Sequence, residues 1–190
     1  MARFTLALTL LLATSPAFAD NLHLVDSRPG GFAIYRSGAP SADDFKQWCK
    51  LGIEEVYVLS GNGDIYEDQY AKLCPRIKVL ANEAHDVDLI PNDRVLALFD
   101  GWVQDAMAKN KKILFRCNCG CHRTGRMAAY YQMKYQHLTA DDAIALMNAH
   151  GSFMMFHPQL PQQVRELEAK VRRDEQTAAT RSLTSASAGR

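Results

Sequence analysis

"KKILFRCNCGCHRTGRMAAYYQMKYQ", residues 111–136, is the stretch on which the fold turns. It opens with a continuous apolar centre, Ile113-Leu114-Phe115, of the kind that marks a strand buried on both faces. It closes with "TGRMAAYYQMKYQ", which reads as a helix. Between them lie three cysteines, a histidine and two arginines, Arg116 and Arg123. A strand feeding a helix through a short loop is the unit of a parallel α/β sheet, and such sheets bind ligands beyond the carboxyl ends of their strands.

Working outward, the same alternation recurs. "GFAIYRSG" is a short β-prone run, with the mature segment before it read as loop. Ser41 is an N-cap for the helix "SADDFKQWCKL", which stops at Gly52. "IEEVYVLS" is a strand closed by the turn "GNGD", "IYEDQYAKLC" a short helix ended by Pro75, and "IKVLANE" a further strand. "AHDVDLIPND" is a polar loop. Val95, Leu96, Phe99, Trp102, Val103, Ala106 and Met107 recur at helical spacing over 92–109. Two more helices follow, "LTADDAIALMNAHG" and "PQLPQQVRELEAKVRR". The expected fold is therefore α/β, a central, mostly parallel twisted sheet flanked by helices. Residues 20–175 form one domain, and 176–190, poor in large apolar residues, are expected to be a disordered tail.

Residues 1–19 are read apart from that domain. Arg3, the apolar "FTLALTLLLA" and the small residues of "AFA" have the form of a secretory signal cut after Ala19. The expected location is thus outside the cytoplasm, periplasmic or secreted, with no membrane span after cleavage. Of 22 basic residues the cut removes Arg3, leaving 21 against 21 acidic ones. That balance argues against a nucleic-acid binder. Lys109, Lys111, Lys112, Arg116, Arg123 and Arg126 nevertheless form a basic run with no acidic residue inside it. Five cysteines are present, an odd number. Cys49 and Cys74 either pair or sit as small buried hydrophobes.

The loop itself admits three readings. Cys-x-Cys-x-Cys-His offers metal ligands, but cysteines two apart are cramped for tetrahedral closure and the arginines oppose a cation. A turn with incidental cysteines is the plainest reading. The third takes Cys117 and Arg123 as a working pair. Asn118, Cys119, Gly120, Cys121 and His122 then curl so that their amides converge at a helix N-terminus, an anion cradle. Gly120 permits the curl, Arg123 grips two phosphoryl oxygens in fork geometry, and Thr124 donates its hydroxyl to the sulfur. In that positive field the Cys117 thiol is expected to ionise more readily than usual. No metal or other cofactor is called for.

"CNCGCHRTG" resembles the Cys-x5-Arg-Thr-Gly signature of the protein tyrosine phosphatase superfamily. "IYRSGAPS" with "LGIEEVYVLS", and "LTADDAIALMNAHGSF", are similar to its small dual-specificity-like members, so the resemblance spans roughly residues 30–155. It implies a two-step reaction through a cysteinyl-phosphate on Cys117, with an aspartic acid on a loop protonating the leaving group. Asp88, in Asp88-Leu-Ile-Pro91, fits that place best, with Asp86 the alternative. Asp93 serves the first helical turn, and His85 is a loop residue. Arg116 stands where most members have histidine, putting a fixed charge near the thiolate.

The implied substrate is a small phosphorylated molecule. Export and the basic run favour an inositol polyphosphate such as phytate. A phosphoprotein, tyrosine or dual-specificity, is the second reading. A noncatalytic redox or metal-binding protein on the same loop is the third.

Overall fold

The computed structural model describes residues 21–151 and 154–188. The expected signal segment, residues 1–19, lies outside the described residues.

Five strands form one sheet in the order β1-β2-β5-β3-β4. They are β1 (His23–Ser27), β2 (Ala33–Ser37), β3 (Glu55–Val58), β4 (Lys78–Asn82) and β5 (Lys112–Arg116). All neighbours run parallel except β1, which pairs antiparallel with β2. The sheet is α/β and mostly parallel, as expected. The strand β1 is a correction: "HLVDS", with two apolar residues and no clear alternation, reads as loop from sequence, and pairing with β2 makes it a strand.

β5 lies at the centre, and its side chains alternate between two cores as strand geometry requires. Leu114 joins Phe45, Trp48, Val56 and Val58 under α1 (Ala42–Leu51) and α2 (Gly63–Tyr70). Ile113 and Phe115 join Tyr57, Phe99, Trp102, Val103 and Tyr131 on the opposite face. That second face is covered by α3 (Asp93–Ala108), α4 (His122–Tyr135), α5 (Ala140–Ala149) and α6 (Leu160–Ala188).

Local chemistry sets the helix ends. Ser41 and Asp44 form a reciprocal capping box, and Gly52 ends α1 at φ +84°. Asn92 caps α3 through the Val95 amide at 3.1 Å. Asp93, in the first turn of α3, pairs with Lys170 of α6 at 2.9 Å. A disulfide joins Cys49 of α1 to Cys74 beyond α2, with Cα atoms 5.9 Å apart.

α6 corrects the expected tail. Leu160, Val164, Leu167 and Val171 bury one stripe of it, after which the helix continues to Ala188, with residues 173–181 exposed. Scarcity of large apolar residues rules out a core there, not a helix. Ala178 and Ala179 favour helix. Thr177, Thr180 and Thr184 satisfy their hydroxyls on the carbonyls four residues back, at 2.8–2.9 Å.

Candidate active site

Strand β5 ends at Arg116, and the loop 117–121 joins it to the first turn of α4. The loop is stitched from beneath. Ala39 donates its amide to the Asn118 carbonyl at 2.8 Å, and Asn62 Nδ2 donates to Asn118 Oδ1 at 2.7 Å. Gly120 takes φ +68°, and a Cβ there would stand 2.6 Å from the Gly38 nitrogen. Its carbonyl accepts from Arg36 Nη2 at 2.5 Å and from Asn21 Nδ2 at 3.0 Å. Only glycine fits both the dihedral and the gap.

Cys117, Asn118, Cys119, His122 and Arg123 line one cavity of about 290 Å³ together with Val87 and His157. Cys121 and Thr124 are buried beneath it. Arg123 Nε is buried with no hydrogen-bond partner among the described residues. An unsatisfied guanidinium beside a buried thiol at a helix N-terminus suits a phosphoryl anion.

Two electrostatic expectations need correction. Arg116 does not present its charge to Cys117. Its guanidinium is fully buried, forked onto the Glu67 carboxylate and bonded to Asn62 Oδ1 at 2.7 Å and Ser60 Oγ at 3.1 Å. The charge is neutralised within the α2 side of the sheet. The Cys117 thiol is also not depressed but pushed up to about 12, first by its hydrogen bond with Cys119, then by burial and by the charge of that sulfur. Thr124 pulls the other way through its hydroxyl and amide. The two hydrogen-bonded sulfurs titrate as a coupled pair, so Cys119 influences Cys117 rather than standing by. Cys119 Sγ also accepts from the Cys121 amide at 3.1 Å.

The basic run of 109–126 is dispersed by the fold. Lys111 is held by Glu55 at 2.5 Å and Asp105 at 3.2 Å, Lys109 by Asp105 at 2.5 Å, and Lys112 Nζ by the Leu51 carbonyl at 2.9 Å. All three sit at the far end of β5. Among the described residues that line the cavity, Arg123 supplies the fixed cation.

Two further arginines are buried near the site. Arg36, which sequence reasoning passed over inside a strand, is 3% exposed and paired with no carboxylate among the described residues. Burial pushes its guanidinium down to about 10, while the sulfurs of Cys117, Cys121 and Cys119 draw it back up. Arg126 is buried under the segment 86–89.

That segment carries both candidate acids. Asp88 is exposed, its Oδ1 2.5 Å from Gln159 Nε2 and 3.9 Å from Nδ1 of His157, a cavity-lining residue. Asp86 accepts the Asp88 amide at 2.8 Å and faces a neighbouring cavity of about 260 Å³ with His85, Arg94 and Arg126. Val87, between the two, is the residue of this segment that reaches the Cys117 cavity. His85 is buried against Tyr57, and burial lowers its pKa. His157 and Gln159 were missed because nothing local in "FHPQL" singles them out. Among the described residues no group of three or more His, Cys, Asp or Glu is arranged to hold a metal ion.

The geometry agrees with comparisons to known proteins. A family model described as "Dual specificity phosphatase, catalytic domain" matches residues 56–170. A search of curated protein sequences returns no match. Among solved structures, TpbA of P. aeruginosa, in complex with pTyr, is similar at 22% identity and TM-score 0.61, covering 83% of this chain and 98% of that one. The core catalytic domain of the PP-IP phosphatase SIW14 of S. cerevisiae, in complex with citrate, is similar at 19% identity and TM-score 0.58, covering 85% and 96%. PTPMT1 in complex with PI(5)P is similar at 13% identity and TM-score 0.59, covering 82% and 99%. With its signature loop closing the central strand and most of its domain matched, the chain belongs to the dual specificity phosphatase family of the protein tyrosine phosphatase superfamily, and is a phosphoric monoester hydrolase of that type.

Proposed function

We propose that the protein is an exported, cysteine-dependent phosphatase that prefers aryl phosphomonoesters, phosphotyrosine above all, to inositol polyphosphates. The observation that carries this reading is that, among the described residues lining the cavity, Arg123 is the one fixed cation, the others being uncharged or titratable. A polyphosphate would need further cations around its second and third phosphates. The lysines that favoured phytate in the sequence are engaged elsewhere. Exposed apolar residues follow the cavity's rim in sequence instead: Leu89 after Val87, and Met155 and Phe156 before His157. They suit the aromatic and peptide parts of a substrate. The Cys49–Cys74 disulfide supports export, since such bonds persist in oxidising compartments.

In the proposed reaction, the Cys117 proton passes to water in the open cavity, and the thiolate sulfur attacks phosphorus in line. The S–P bond forms as the P–O bond to the leaving group breaks. Arg123 and the loop amides hold the equatorial oxygens, and a carboxylic acid on the segment 86–89, Asp88 first, protonates the departing oxygen. The resulting carboxylate then takes a proton from water, which attacks phosphorus and releases Cys117. The test is side-by-side hydrolysis of a phosphotyrosine peptide and inositol hexakisphosphate. A higher kcat/KM on the peptide is expected; the reverse order would restore the phytate reading.

A further inference from the structure

The four consecutive carbonyls from Asp86 to Leu89 all accept hydrogen bonds from two side chains of distant helices. From α4, Arg126 Nη2 donates to Asp86 O at 3.0 Å, and Nη1 donates to Val87 O at 3.1 Å and Leu89 O at 2.6 Å. From α6, Gln163 Nε2 donates to Asp88 O at 2.9 Å and Val87 O at 3.3 Å. Gln163 Oε1 accepts from Arg126 Nη1 at 2.5 Å, locking the two together. Arg126 is 1% exposed and Gln163 5%. Loops of this kind ordinarily leave their carbonyls to water. Here a buried cation, paired with no carboxylate among the described residues, is committed to them, an arrangement that costs desolvation.

We infer that Arg126 and Gln163 are positioning residues that hold the segment 86–89, and with it the general acid, over the phosphoryl group on Cys117. The inference rests on the proposed placement of the acid in that segment. Arg126 follows Arg123 by one helical turn, so a single helix sets both the phosphate grip and the acid's backbone. Gln159, the residue before α6 and four before Gln163, donates to the Asp88 carboxylate itself, so the entry to α6 touches both backbone and side chain of the segment. Small misplacement of a catalytic group costs up to about 10²-fold in rate.

The informative variant is Gln163→Glu. It keeps an acceptor for Arg126 and adds an opposite charge beside it, but removes both N–H donors to the loop. It should melt no lower than the parent protein. It should lower kcat/KM for phenyl phosphate, a poor leaving group, by about tenfold or more, and for p-nitrophenyl phosphate by less than about threefold, because only the former needs the acid. The alkaline limb of the phenyl phosphate profile should flatten as well. Gln163→Leu and Arg126→Met should give the same pattern. Asp88→Asn and Asp86→Asn identify the acid in parallel, and Gln163→Glu added to whichever discriminates should cause no further loss on phenyl phosphate. If an aspartate variant discriminates between the two esters while the Gln163 variants depress both equally or neither, the positioning role is overturned and the acid assignment stands. If neither aspartate discriminates, the acid lies elsewhere and both proposals fall.

Discussion

At the residue scale the proposed nucleophile, Cys117, is governed by its neighbour. Cys119 is the largest influence raising the Cys117 thiol, so its removal should make Cys117 easier to ionise. In Cys119→Ala, the pH at which Cys117 reaches half its maximal alkylation rate by iodoacetamide should fall, and alkylation at neutral pH should quicken. An unchanged profile would show that burial, not the second sulfur, sets the value. Cys117→Ser should lose turnover while still binding vanadate in calorimetry, since the cradle remains. Arg123→Lys keeps the charge but loses the planar fork, and turnover should fall about 10²-fold or more. Near-parental turnover would place Arg123 outside the site.

Among the secondary-structure elements, much of this protein was legible in its sequence, and the gaps have a common cause. Apolar periodicity marked α3, the continuous Ile113–Phe115 run marked the central strand, and Ser41 and Gly52 marked the two ends of α1. These signals are local. β1 and the segment-holding pair Arg126–Gln163 depend on partners far along the chain, 37 residues for the latter, and leave no local trace. Arg116 shows the same limit: its type was plain, but Glu67 decides what its charge can do. The disulfide lies on the α1–α2 face, away from the segment 86–89, and closes a separation of 25 residues. Replacing Cys49 and Cys74 by serine should cost about 3 kcal/mol of stability, read by denaturant unfolding, from loop-closure entropy alone. Turnover per folded molecule should stay near parental; a matching loss of turnover would mean that α1 and α2 help to shape the site.

For the molecule as a whole, the arginines buried against the loop 117–121 and the segment 86–89 have a thermodynamic consequence. Arg36 and Arg126 are buried without carboxylates among the described residues, and Arg123 keeps an unsatisfied Nε beside them. The Arg123 charge works against that of Arg126 in the native state, and an unfolded chain is relieved of that repulsion. Oxyanions bind the folded form only, so they act as thermal stabilisers by mass action. Phosphate or vanadate at a hundredfold excess over its dissociation constant should add about 2.7 kcal/mol, raising Tm measurably in scanning calorimetry. Sodium chloride at matched ionic strength should reproduce little of that gain, and Arg123→Met should abolish most of it. The choice of buffer anion thus becomes a folding variable for this protein, with the catalytic loop acting as its thermostat.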